Sequence, residues 1–227
     1  MQSVVFASAA VEFGGAATTA MIETLIKFFV VFFVVVEPIS LIPLFAGLTE
    51  GSSEGYKRKM AFKACLIALC ICVLFAVAGA KFLQIMGISL SSFRLAGGIL
   101  LFLISLEMVF ARTSGSRTTE PEAEECAKRA DISVFPLAFP FIAGPGALAT
   151  ILLTAGEVGA RPVLFAGFLA VVALVMAVCW VILLATPKLM KVLGVTGANV
   201  ANRISGVILA ALAVQFIVDG IRGSFFS

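Results

Sequence analysis

The sequence predicts an all-α polytopic membrane protein. It has six transmembrane helices in two inverted three-helix repeats, with helices 1 and 4 broken. Three observations predict this. Of the 227 residues, 61% are hydrophobic and 13% charged, against about 45–50% and about 25% in soluble domains. Long runs carry no Asp, Glu, Lys or Arg. Two proline- and glycine-rich interruptions recur at matching places in the two halves.

A chain of this size cannot hide so much apolar surface from water, so its solvent is a bilayer. The sequence has no histidine, which removes His-based triads, HExxH zinc sites and His-ligated haem. The cysteines Cys65, Cys70, Cys72, Cys126 and Cys179 form no CxxC pair, and no disulfide framework or metal site is expected. No basic stripe interleaves with aromatics, so nucleic acid is not an expected partner. No GxxxxGK[ST] loop is present, so the chain does not itself hydrolyse ATP. No cofactor is expected.

Six helices are placed, in order, near residues 24–46, 62–80, 88–110, 134–155, 162–186 and 203–221. Each is about the 20 residues needed to cross roughly 30 Å of hydrocarbon. Helix 1 joins the charge-free runs 28–36 and 38–49 across Glu37. Helix 2 is built on 64–80. Helix 3 is built on 95–106, bounded by Arg94 and Glu107. Helix 4 uses 132–156, helix 5 uses 162–187, and helix 6 uses 204–218. The runs are continuously apolar and do not alternate, which excludes barrel strands. Residues 1–20 contain the apolar run 4–11 with no Lys or Arg before it, so they lack a signal-peptide n-region. They are expected to form an exposed or interfacial extracytoplasmic segment.

Lys and Arg in short loops set orientation. With the N-terminus outside, eleven of the 16 Lys and Arg fall on the cytoplasmic side and five outside, so both termini are expected to be extracytoplasmic. Repeat 1 then covers 21–111 and repeat 2 covers 133–227. The polar linker 112–132 is cytoplasmic, either a solvated tether or a partner-binding loop. Cys126 within it is expected to be inert.

The two halves share a register. A shift of 107 superposes Pro38 on Pro145 and Leu41 on Leu148. A shift of 109 superposes Arg94 on Arg203, Gly97 on Gly206 and Ile99 on Ile208. Three helices per half is odd, so the second half must enter from the opposite side, as in many secondary transporters. Pro38 and Pro43 interrupt helix 1. Pro136, Pro140, Gly144, Pro145 and Gly146 interrupt helix 4. Each proline removes a helical donor and clashes with the carbonyl one turn back. Matched breaks are either repaired kinks or a midplane binding site, where half-helix N-termini suit a substrate carboxylate. The site residues proposed are Glu37, Pro38, Ser40 and Pro43 from one break and Gly144, Pro145, Gly146 and Thr150 from the other.

Glu37 is the most informative charge. A carboxylate at mid-span costs roughly 2.5–3.5 kcal/mol on insertion scales. It therefore faces a cavity, pairs with a cation or carries a proton. It either caps the second half-helix from before Pro38 or serves as ligand and proton-coupling site. Arg94 and Arg203 open helices 3 and 6. They either snorkel to the headgroups, pair with Glu107 or Asp219, or guard the two cavity mouths. Asn199, Asn202 and Gln215 are weaker polar candidates.

EPISLIPLFAGLT, FRLAGGILLFLISLEMVF, FPLAFPFIAGPGALAT and NRISGVILAALAVQFIVDGI together resemble the MarC family of bacterial and archaeal membrane proteins, over about residues 22–220. The resemblance implies six helices, a prokaryotic plasma membrane and transport of small neutral amino acids such as alanine and glycine. The family motif usually opens Asp-Pro, with Gly common where Ser40 stands. Here it opens Glu37-Pro38, which keeps the acid and changes its reach by one methylene.

The expected activity is therefore alternating-access secondary transport, with the proton as candidate coupling ion. A channel or a purely structural membrane protein is the alternative. An intramembrane enzyme is not expected: the breaks contain no cysteine, the chain has no histidine, and paired intramembrane Asp residues are missing. Expected partners are the amino acid substrate and membrane lipids, and a homo-oligomer is left open.

Overall fold

The computed structural model describes residues 2–110, 131–159 and 161–225. The expected linker, with Cys126, lies almost wholly outside the described residues. Among those residues the secondary structure is helical, without strands. The elements are α1 (Gln2–Val36), α2 (Leu41–Leu48), α3 (Glu54–Ile85), α4 (Leu90–Phe110), an irregular segment (Ser133–Ile142) and α5 (Pro145–Val158). The run Pro162–Phe225 then breaks at Gly194, whose φ of 61° and ψ of −179° no L-residue adopts comfortably. This gives α6 (Pro162–Val192) and α7 (Thr196–Phe225). Among the described residues five helices are long and apolar enough to cross a membrane, and the bent pair of Ser133–Ile142 with α5 makes six if it is counted as one span.

Several boundaries differ from expectation, each for a local reason. α1 starts at Gln2, so the N-terminal segment continues helically into the first span. α3 begins at Glu54, because Ser53 accepts a hydrogen bond from the Tyr56 N–H and caps it. At 32 residues α3 is about 48 Å long, more than the hydrocarbon needs. Its first turns, with Lys57, Arg58, Lys59 and Lys63, therefore reach the interface. The break expected after 186 falls later, at Gly194: Pro187 lies within the continuing α6. Arg203 accordingly does not open the last helix, which starts at Thr196.

The core is shared between the halves. Phe32, Phe45, Phe168, Ile151, Leu183 and Leu209 are fully buried. Phe28 stacks on Phe32 at 5.3 Å and meets Phe168 at 4.7 Å. α3 contributes a buried stripe of small residues, Ala61, Ala64, Ala68, Cys72 and Ala76, which lets neighbours approach closely. Leu74, Val77, Phe82, Val163 and Val181 are exposed apolar side chains. In a bilayer this outer surface contacts lipid, and burial inside the bundle selects small residues instead. Cys65, Cys70, Cys72 and Cys179 are free thiols.

α4 packs most extensively against the run Pro162–Phe225, and its glycine contacts with α7 follow a reciprocal pattern. A Cβ on Gly98 would stand 2.9 Å from the Ala213 carbonyl oxygen and 2.8 Å from Ile217 Cγ1. A Cβ on Gly206 would stand 3.2 Å from the Ser105 carbonyl oxygen and 3.1 Å from Val109 Cγ2. Gly98 and Gly206, Ser105 and Ala213, and Val109 and Ile217 are all related by one shift of 108. The contacts thus pair Gly206 with Gly98, one residue from the Gly97 that sequence identity pairs with it.

Candidate functional site

The first break follows from the Val34–Val35–Val36–Glu37–Pro38 sequence. A residue before proline is pushed out of the right-handed helical region, and α1 stops at Val36. Glu37 adopts φ +52°, the one positive φ among the described non-glycine residues. Its N–H donates to the Phe33 carbonyl at 3.1 Å, and its carbonyl accepts from the Ser40 N–H at 3.0 Å. Glu37 therefore terminates α1. It does not cap α2, whose N-cap is Ser40 with no side-chain cap bond. Holding a non-glycine residue in the left-handed region costs about 1–3 kcal/mol. Burying its carboxylate to 4% exposure adds a second cost. Two unfavourable features at one residue mark a position set by more than folding.

Pro43 is not part of the interruption. It occupies the first turn of α2, where its missing N–H would have no helical partner in any case. Its side chain is exposed and lines a separate pocket that runs along α2 to Glu50.

Glu37, Pro38 and Ile39 line a small cavity with Phe33, Val34, Ser205 and Ile208. Its volume is about 40 Å³, room for water and not for an amino acid. Beside it the Ser40 hydroxyl donates to Asn202 Oδ1 at 2.6 Å, joining the first break to α7.

The second break has the same logic in different residues. Phe135 and Phe139 each precede proline and are extended, at φ −127°, ψ 128° and φ −132°, ψ 131°. The expected helix over 134–155 is thus an irregular segment followed by α5, bent by 59°. Gly144 is the N-cap of α5, with Pro145 in its first turn. Thr150 is buried and donates to the Gly146 carbonyl at 2.9 Å. Gly146 lies against Leu101 of α4 and Val35 of α1; a Cβ there would be 3.3 Å from Val35 Cγ1. Val35 is two residues from Glu37, so the breaks approach through Val35 and Gly146. The polar lining around Glu37 comes from α7, not from Gly144–Gly146.

The ion pairs also differ from expectation. Arg94 pairs with Glu157 of α5, not with Glu107. Glu107 is 13 residues further along the same helix, about 20 Å away. Asp219 accepts from Gln215 Nε2 at 2.9 Å. Arg203 is exposed and about 24 Å along α7 from Asp219. Glu157, Ser205 and the Ser40–Asn202 contact were not singled out by sequence. Glu157 carried a usable signal: it stands 107 residues after Glu50, the shift that aligns the two breaks. At the linker end, Asp131 pairs with Lys63 of α3 and accepts from the Ser133 hydroxyl at 2.5 Å and the Ser133 N–H at 3.0 Å. The Lys63 hydrogen bond, helped by those from Ser133, holds its carboxyl at about 2.

A multi-pass helical bundle with two broken spans meeting inside it defines an integral membrane protein. The chain belongs to the MarC family of integral membrane proteins, whose profile matches residues 22–225. It is 37% identical over 199 residues to the UPF0056 membrane protein YhcE of Escherichia coli (strain K12), covering 88% of this chain and 92% of that one. It is 34% identical to UPF0056 membrane protein YvbG of Bacillus subtilis (strain 168), covering 90% and 97%. It is also 34% identical to a UPF0056 membrane protein of Archaeoglobus fulgidus, covering 88% and 92%. No solved structure matches the chain.

Proposed function

We propose that the chain is a secondary transporter of small neutral amino acids working by alternating access, with the proton as coupling ion. The observation that carries this reading is the approach of two broken spans, one from each half, at Val35 and Gly146, beside a buried Glu37 held at positive φ. Paired discontinuous helices of this kind supply substrate sites in inverted-repeat carriers. The N-terminus of α5 offers N–H groups, and those of α2 and α5 both offer partial positive charge, to a carboxylate. Glu37 receives the substrate ammonium or the coupling proton. Binding and proton exchange are its only chemistry; no bond of the substrate is broken.

The amino acid class comes from the family resemblance. The 40 Å³ cavity beside Glu37 must widen to admit even glycine, so binding requires the breaks to part. A channel needs no such closure around its site. In this reading the Lys/Arg-rich end, with Lys57, Lys63, Lys188 and Lys191, faces the cytoplasm and both termini lie outside. Uptake of labelled alanine and glycine by proteoliposomes, with and without a pH gradient, tests the function. Saturable uptake driven by the gradient is expected; linear, non-saturating flux would replace the carrier with a channel.

A further inference from the structure

The two ends of the bundle are in different states. At one end, Arg94 near the start of α4 pairs with Glu157 in the last turn of α5. α4 lies in the first half and α5 in the second, so this pair ties the halves together. α3 crosses the bundle between Glu50 and that end, so Glu50 lies at the opposite end. It is the counterpart of Glu157 under the shift of 107 that superposes Pro38 on Pro145. The counterpart of Arg94 by sequence identity is Arg203, near the start of α7.

Glu50 and Arg203 are both exposed. Among the described residues neither makes an ion pair. Glu50 instead lines an open pocket of about 570 Å³, with Thr49, Lys57, Thr186 and Met190. In the contact register of 108, the residue equivalent to Arg94 is Asn202, adjacent to Arg203. Asn202 is held by Ser40, at the far end of α2 from Glu50. Ten residues separate Ser40 from Glu50, about 15 Å along the helix and its capping turn. Two long side chains span much of that. A ratchet of α7 by about one helical turn, a large shift for packed helices, covers the rest.

We propose that Glu50 and Arg203 form the second of two alternating gates. In the opposite state, Arg94 releases Glu157, Asn202 leaves Ser40, and Glu50 pairs with Arg203 across the mouth of the 570 Å³ pocket. The purpose of the gates rests on the transport reading, but their coupling is measurable without flux.

The test uses Ala46→Cys, in the pocket lining, on a background with the native cysteines replaced. The readout is its labelling rate by a water-soluble maleimide. Glu157→Gln and, independently, Arg94→Gln remove the formed pair and should slow labelling. Exposed pairs of this kind support a shift of about two- to fivefold. Adding Glu50→Gln or Arg203→Gln should restore the parent rate, and the exchanged pair Glu50→Arg with Arg203→Glu should behave as the parent does. Unchanged labelling in both single variants overturns the coupling. Slowed labelling that neither Glu50→Gln nor Arg203→Gln restores overturns the assignment of this pair. The expected labelling pattern in a protein with no amino acid flux would refute the transport reading and leave the gates standing.

Discussion

Gly98 and Gly206 are equivalent residues on the two sides of one helix crossing: each lets its helix rest on a carbonyl of the other, Ala213 and Ser105 respectively. An inverted repeat makes such reciprocal contacts, because a two-fold axis that exchanges α4 and α7 maps the interface onto itself.

Gly98→Ala and Gly206→Ala should therefore destabilise the protein by similar amounts, about 1–3 kcal/mol each, since neither methyl fits without moving backbone. Thermal unfolding in detergent measures both. A large cost at one glycine and none at the other would contradict the symmetry.

The Ser40–Asn202 hydrogen bond should be worth about 0.5–1.5 kcal/mol in this structure. Ser40→Ala and Asn202→Ala should be non-additive in a double-mutant cycle, with the coupling lost in the double variant. Additive effects would show that the contact carries no energy.

The helices, their number and the two breaks were legible in the sequence because charge-free runs and prolines report directly on burial and backbone geometry. What was not legible was register and partner. Pro43 reads as a breaker, yet a proline three residues after Ser40 falls in a first turn, where it is tolerated. For Arg94 the sequence offers snorkelling, a pair with Glu107 or Asp219, or a cavity mouth, whereas its partner is Glu157, 63 residues away. Only the repeat, followed one acid further to Glu50 and Glu157, pointed there. Gly97 outscored Gly98 as the mate of Gly206 because identity counts residues, while packing selects the face of the helix.

Asp131 predicts a pH dependence with a definite sign. Its carboxyl is held below its usual 3.8, at about 2, chiefly by Lys63. A lowered folded-state pKa gives stability that is present above the usual value and lost as pH falls through the folded one. The difference in melting temperature between the parent and Asp131→Asn should be constant above about pH 5. It should shrink from pH 4 towards pH 2. A difference that grows on acidification would reverse the assignment.

Glu37→Gln separates the roles of the buried acid. The variant should fold, because the backbone bonds to Phe33 and Ser40 use main-chain atoms only. If Glu37 carries the coupling proton, accumulation driven by a pH gradient should end while exchange persists. If it binds the ammonium, affinity itself should fall by about tenfold or more, as for a lost charge-assisted hydrogen bond. Unchanged accumulation together with unchanged affinity would leave Glu37 only its role in terminating α1.

The most direct test of transport through the paired breaks is exchange in proteoliposomes. Vesicles loaded with unlabelled alanine and carrying the parent protein should take up external labelled alanine, saturably. The same vesicles with Gly146→Leu, which fills the contact with Val35 and Leu101, should not, although the protein is inserted. Absence of exchange in the parent, or full exchange in a correctly inserted Gly146→Leu protein, would contradict the account.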